Sequence, residues 1–326
     1  MSLSTEPQVL TAEEFGRVCK SILNAVATVI DGKSEVARTA LIVLLAQGHL
    51  LLEDVPGVGK TMLAKTLAKT VDCSVHRIQF TPDLLPSDVT GVSIFNQETH
   101  EFQFRPGPVF AHIVIGDEIN RANAKTQSAL LECMEEGQVT VDGITHTLES
   151  PFMVIATQNP IELEGTFPLP EAQRDRFMAK ISMGYPDAAA EMSMLESHQS
   201  FSPLDAVRPV LDLSQLHTLI NTVAAVYVSE PVKEYIVALG RATREHSEIR
   251  LGASPRSLLQ LLRAAKAEAA LNARDYVLPE DVRKIATDVL GHRLILHRRA
   301  EAAGSNAESL LAAILNAIPV RAGARG

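Results

Sequence analysis

One short stretch constrains the fold of this chain more than any other. His49-Leu-Leu-Leu-Glu53 is an apolar run of strand character that enters Asp54-Val-Pro-Gly-Val-Gly-Lys-Thr61. A helical pattern follows at once over Lys60 to Thr70, with Leu63, Leu67 and Val71 on one face. A polyphosphate needs backbone N–H groups that converge without Cβ atoms in the way. Gly57 and Gly59 supply that freedom, and the helix behind them turns its positive end toward the anion. Lys60 is placed for the β- and γ-phosphates of ATP, and the Thr61 hydroxyl for Mg²⁺. The nucleotide-contacting set read from this motif is Val55, Pro56, Gly57, Val58, Gly59, Lys60, Thr61 and Met62. The usual loop begins with a glycine where this chain has Asp54, so the letters alone also allow a Gly-rich turn that caps a helix.

A strand, loop and helix in this order belong in a parallel α/β sheet. Five strands can be placed around the loop: His49 to Glu53, Val75 to Phe80, His112 to Gly116, Phe152 to Thr157 and Met178 to Ser182. Two alternating segments with turn residues interrupt them, Ser93 to Phe110 and Gln138 to Leu148, and each reads as a β-hairpin insertion. In the first, alternation puts Phe102 and Phe104 on one face, near a tip where aromatic side chains can serve as anchors for a client. Beyond about Tyr185 the strand signal stops. Apolar residues recur at helical spacing near 189–199, 213–225, 230–244, 256–271, 279–289 and 306–317. The expected domains are an α/β core with N-terminal helices over 1–185 and a helical domain over 186–326.

The length of 326 residues and a hydrophobic content of 46% allow a core in each. No apolar run approaches the roughly 20 residues of a membrane span, and the first ten residues do not read as a signal peptide, so the expected location is the cytoplasm. Cys19, Cys73 and Cys133 lack the close spacing of a zinc site or a disulfide framework, and each sits in a packing pattern. A formal charge of −9 argues against long tracking on nucleic acid, although a local basic stripe inside a ring stays open.

Further features gather around the phosphate loop. His112-Ile-Val-Ile-Gly-Asp117-Glu118 is a buried-type strand that ends in two carboxylates, at the sheet edge where the loop also lies. Asp117 is placed to hold the Mg²⁺ shell together with Thr61, and Glu118 to orient or deprotonate the attacking water. An ordinary solvated strand end would look similar. The next strand ends in Gln158-Asn159-Pro160, which sets Asn159 near the lytic water or the γ-phosphate, or is a turn before proline. Gln79 closes the second strand and is a candidate for coupling Glu118 to another site. Arg176 precedes the fifth strand, and Arg256 follows the cap signature Ser254-Pro255. Either arginine could equally be a surface ion-pair residue.

With these residues assembled, the chain resembles the AAA+ ATPases and, within them, the MoxR family over roughly residues 20 to 320. The resemblance rests on Arg77-Ile-Gln-Phe-Thr-Pro-Asp-Leu-Leu-Pro-Ser-Asp88, Asp117-Glu-Ile-Asn-Arg-Ala122, Lys125-Thr-Gln-Ser-Ala-Leu-Leu131, Ala156-Thr-Gln-Asn-Pro160 and Gly252-Ala-Ser-Pro-Arg256. It implies a P-loop AAA+ core with a five-stranded parallel sheet, hairpin insertions and an all-α lid, with ATP at the seam and at a subunit interface. By the same resemblance Asn159 senses the γ-phosphate, Arg176 is the finger on a neighbour's ATP with Arg174 as its rival, and Arg256 is the lid arginine. Val29 and Ile30 match the adenine-packing position. The implied activity is Mg²⁺-dependent ATP hydrolysis by a homo-oligomeric ring, expected to be a hexamer, that remodels a protein client. That client, or a partner, could carry a von Willebrand A domain, and metal or cofactor insertion is within the family's range. Two other readings stay open, a DNA-translocating ATPase and a non-hydrolysing nucleotide switch.

Overall fold

The computed structural model describes residues 8–55, 57–159, 166–185, 188, 192 and 203–319. Pro56 and nearly all of the helix expected near 189–199 lie outside the described residues. Helix α1 (Ala12–Ala27) starts with a capping box, in which the Thr11 hydroxyl accepts from the Glu14 N–H and Glu14 reaches back to Thr11. Helix α2 (Ser34–Leu45) follows, then β1 (Leu50–Glu53), the phosphate loop and α3 (Lys60–Thr70).

The central sheet contains β2 (Val75–Gln79), β5 (Ile113–Asp117), β8 (Met153–Gln158), β1 and β9 (Ala179–Ile181), in that spatial order, and every pairing is parallel. Each of the five matches an expected strand to within two residues at either end. The strands run as apolar blocks because both faces are covered. Successive side chains alternate between the two faces: Leu50, Leu52, Ile113 and Ile115 enter one apolar cluster, while Leu51 and Val114 enter the other. The larger cluster continues into Leu261, Val282 and Ile285 of the C-terminal helices, so the lid is packed onto one face of the sheet by a continuous core.

Both hairpins are present. Strands β3 (Gly91–Asn96) and β4 (Glu101–Pro106) follow the short helix α4 (Pro86–Thr90). Strands β6 (Gln138–Val141) and β7 (Ile144–Thr147) follow α5 (Ala124–Glu136). Phe102 and Phe104 share a face as alternation requires, but they have different surroundings. Phe102 is 74% exposed, opposite Phe95. Phe104 stacks on His146 of the other hairpin at a centroid distance of 4.0 Å. The expected pair is thereby split: Phe102 stays exposed, while ring stacking between the hairpins claims Phe104.

The lid comprises helices Leu213–Ala225, Glu230–Glu245, Pro255–Leu271, Pro279–Leu290 and Ala307–Ala317, each within about two residues of expectation. One correction applies. Strand structure does not end at Tyr185 or with β9, since Ile249–Leu251 pairs antiparallel with Ile295–Leu296. Segments this short carry no readable period. No helix among the described residues is long and apolar enough to cross a membrane.

Candidate nucleotide site

The phosphate loop leaves β1 at the carboxyl edge of the sheet. Gly57 and Gly59 have φ of +85° and +92°, in the left-handed region where a side chain would be strained. A Cβ added at Gly57 would meet nothing within 4 Å, so the backbone there lines open space. Gly59 caps α3, leaving the first N–H groups of an eleven-residue helix facing that space. Val58 is buried, and Val55 and Met62 pack part-buried on the same core, which anchors the loop from below. Ile30 is buried in that core too, with Val29 part-buried beside it.

Asp54, the departure from the usual loop pattern, has a structural use. Its carboxylate accepts from the Ser182 hydroxyl at 2.8 Å, the Gly184 N–H at 2.6 Å and the Val55 N–H at 2.9 Å. Burial alone would push its carboxyl pKa up, but the hydrogen bonds from Gly184, Ser182, Val55 and Met183 outweigh that and hold it below the ordinary value. The loop is thus tied to the end of β9. Lys60 donates to the Asp54 carbonyl at 2.6 Å. Burial lowers the Lys60 pKa, with Asp54, Asp117 and Glu118 opposing.

Strand β8 lies between β1 and β5, so three strand ends converge. The Thr61 hydroxyl lies 3.1 and 3.3 Å from the two Asp117 oxygens. Thr157, buried at the end of β8, donates to Asp117 at 3.3 Å and accepts the Glu118 N–H at 2.9 Å. Glu118 sits in left-handed backbone at φ 59°, a conformation that costs a non-glycine residue energy and turns its side chain off the strand line. Gln79 Nε2 donates to Glu118 Oε2 at 2.8 Å, and Arg121 pairs with the same oxygen at 3.2 Å. Arg77 links the two acids, donating to Asp117 at 2.6 Å and to Gln79 at 2.7 Å. Asn159 is buried just beyond β8, and its carbonyl accepts from Asn120. Next to the loop, the seam between core and lid holds a cavity of about 870 Å³ lined in part by Asp54, Val55, Ser182 and Asp288.

A family model described as "ATPase family associated with various cellular activities (AAA)" matches residues 49–179, and one described as "AAA lid domain" matches 241–314. The chain is 44% identical over 280 residues to Chaperone MoxR1 of Mycobacterium tuberculosis, covering 83% of this chain and 74% of that one. This chain belongs to the MoxR family of AAA+ ATPases. YeaC of Bacillus subtilis is 51% identical over 292 residues, 90% of this chain and 91% of its own. A crystal structure of a candidate ATPase from Cytophaga hutchinsonii superposes with a TM-score of 0.89 at 43% identity, covering 95% of this chain and 97% of that one. An MCM homologue from Methanopyrus kandleri, at 20% identity and a TM-score of 0.60, shares the fold alone.

Two of the arginines singled out in this MoxR-family ATPase lie elsewhere. Arg176 precedes β9 and therefore stands at the amino edge of the parallel sheet, where the Met178 N–H donates to the His49 carbonyl at 2.8 Å. From Leu50 to Glu53 the strand climbs about 10 Å toward the phosphate loop, away from this edge. Arg256, the second residue of helix Pro255–Leu271, is at the same edge. Both arginines bind the carboxylate of Glu135, Arg176 at 2.9 Å and Arg256 through its Nη2. Arg174, the rival of Arg176, ends the short helix α6 (Glu171–Arg174). The structure brings Gln79, Thr61, Asp117, Glu118 and the loop together, and sets Arg176 and Arg256 apart from them as a second cluster.

Arg77, Thr157 and Glu135 join these clusters without a role assigned to them from the sequence. Arg77 had a readable signal: a basic residue two positions before Gln79 on the same strand shares its face. Glu135 had none.

Proposed function

We propose that this ATPase binds Mg²⁺-ATP at the phosphate loop and hydrolyses it at the interface between copies of itself in a hexameric ring. In this reading the cycle remodels or matures a protein client. The observation that carries it is the separation of the two clusters: Arg176 and Arg256 are at the amino edge of the sheet and the phosphate loop is at the carboxyl edge, so a single copy cannot bring them to one phosphate. A neighbour can. Arg176 is then the finger and Arg256 its lid companion, both acting on the adjacent copy's nucleotide.

Within one copy, Gly57 and Gly59 leave the backbone N–H groups open to phosphate oxygens, and Lys60 adds a positive charge. Val29 and Ile30 are the residues proposed to pack the adenine. Thr61 and Asp117 offer a hydroxyl and a carboxylate as hard oxygen ligands, which fits Mg²⁺, a cation that takes few protein oxygens and keeps the rest for phosphate and water. The bound cation would neutralise charge on the phosphates. Glu118 takes the proton of the attacking water, with Gln79 and Arg121 setting its carboxylate, and Asn159 hydrogen-bonds the γ-phosphate or that water.

The exposed tip of the first hairpin, with Phe102, is the surface proposed to meet the client, which is taken to be a protein, one with a von Willebrand A domain being a candidate. Support for a remodelling role comes from the relative named Chaperone MoxR1. The work is placed in the cytoplasm, where ATP is abundant, and metal or cofactor insertion into the client is one form it could take.

The test separates binding from turnover. Lys60→Ala should weaken nucleotide binding, whereas Glu118→Gln should bind nucleotide normally and stop hydrolysing it. Parental turnover by Glu118→Gln would remove the proposed base. Light scattering with and without nucleotide checks the ring, and a monomer under every condition would sink it.

A further inference from the structure

We infer that Glu135 is a positioning residue for hydrolysis on the neighbouring copy, holding Arg176 of the core and Arg256 of the lid on one carboxylate so that both face the same phosphate. This rests on the interface reading above. The cluster borders a cavity of about 220 Å³ at the amino edge of the sheet, whose lining includes Arg176, Arg256, Arg263, Glu135 and His49. His49 is neutral there, since burial drives its pKa down to about 4 and its Nε2 pairs with the Met134 carbonyl. The lining thus carries three arginines against one acid, an arrangement suited to an outside anion.

Glu135 is not what holds the lid to the core at this point. That is done beside it by Asp175, which accepts from the Ser254 hydroxyl at 3.1 Å and from Arg293 Nε at 2.8 Å. Ser254 is the N-cap of the helix that carries Arg256, and Asp175 is the residue before Arg176, so the two backbones are already registered. What remains free without Glu135 is the pair of long side chains. Glu135 is about one-third exposed and Arg256 nearly half exposed, so their ion pair contributes little to folding. Its effect is on geometry: each arginine spends part of its donor fork on the carboxylate and keeps the rest for a ligand, already ordered before that ligand arrives.

The experiment uses the full-length protein with Glu135→Gln, which keeps the shape and removes the charge. Expected are a kcat lower by about tenfold or more, unchanged affinity for a fluorescent ATP analogue at its own phosphate loop, and an unchanged melting temperature. Mixing the slowed Glu135→Gln with inactive Lys60→Ala should raise turnover above the sum of the two variants measured separately, because an intact arginine pair then faces an intact loop. A purely structural Glu135 would lower the melting temperature and would not be rescued in the mixture. Parental or raised turnover in Glu135→Gln overturns the proposal. Recovery when Arg176→Ala is mixed with Lys60→Ala, but not when Glu135→Gln is, overturns it and leaves the interface reading standing. No recovery in either mixture overturns both.

Discussion

The guanidinium of Arg77 stands 2.6 Å from Asp117 Oδ2, on the carboxylate that Thr61 also touches. A monovalent side-chain cation therefore sits where the proposed metal ligand would meet a hard dication. The same guanidinium donates to Gln79, which donates to Glu118, so the acid proposed for the metal and the acid proposed for water are joined through two side chains.

The first prediction follows from that competition. In Arg77→Ala the Asp117 carboxylate loses a rival cation, so less Mg²⁺ should be needed for tight nucleotide binding. Arg77 is half-exposed, which limits the ion pair to about 1 kcal/mol, or roughly a fivefold fall in the half-saturating Mg²⁺ concentration. A fluorescent nucleotide titrated at several Mg²⁺ levels measures it. A rise in the Mg²⁺ requirement would mean that Arg77 supports the site instead of competing for it.

Asp54 supplies a prediction that runs against motif logic. Asp54→Gly restores the glycine with which such loops usually begin, yet it strips three hydrogen-bond donors of their acceptor. The expected outcome is a loss of about 2 kcal/mol or more, since a buried donor left unpaired costs roughly 1 to 3 kcal/mol. Nucleotide affinity should fall with it. Chemical denaturation of the variant measures the first effect, and a variant as stable as the parent would show that the tie between loop and β9 is unimportant.

Much of this architecture was legible because it is local and periodic. The run Leu50-Leu-Leu-Glu53 followed by Gly57, Gly59 and Lys60 states a strand, an open turn and a helix start within eleven residues. The lid helices carry their period in their own sequence, and Ser254-Pro255 marks a helix start that the structure places at the same residues. What stayed hidden depends on partners far along the chain. The Asp54 carboxylate finds Ser182 and Gly184 across more than 120 residues, as separations of 128 and 130 show, so only its departure from the pattern was visible. Glu135 reads as one more acid on a charged helix end, because nothing local says that Arg176 and Arg256 converge on it. Phe104 shows the same limit: alternation gave its face correctly, but not the His146 ring of another hairpin that occupies that face.

Asp288 ties the lid to the core by accepting from the Thr39 hydroxyl at 3.0 Å. Burial raises its pKa to about 6; Thr39 opposes the shift, and Glu35 and Glu308 add to it. The folded protein thus holds this proton more tightly than the unfolded chain, whose Asp titrates near 3.8. The contribution of Asp288 to stability is best below about pH 4 and declines as pH rises through about 6. Asp288→Asn, which stays neutral, should be more stable than the parent by on the order of 2 kcal/mol above about pH 6 and should converge with it in acid. Thermal melts across that range decide it, and a stability difference independent of pH would rule out titration of Asp288 as the cause.

The two phenylalanines of the first hairpin divide folding from contact. Phe102 is 74% exposed and meets Phe95 edge-on at 5.3 Å, so truncating it removes little buried area. Phe102→Ala should melt like the parent and keep basal ATPase activity, with a stability change within about 0.5 kcal/mol. Phe104 is wedged between hairpins, stacked on His146 at 4.0 Å and edge-on to Phe110 at 5.5 Å. Its loss removes the closer of the two aromatic contacts that couple the insertions, leaving Phe110 against His146 at 6.4 Å, at about 1 to 2 kcal/mol once lost packing is added to an aromatic pair term of roughly 1 kcal/mol. Hydrogen exchange gives the sharper readout. In Phe104→Ala the amides of Gln138–Val141 and Ile144–Thr147 should exchange faster although the substitution lies in the other hairpin, while Phe102→Ala should leave them unchanged. Equal exchange in both variants would mean that the hairpins are held together without Phe104, and the aromatic face as a whole would then be free for a client.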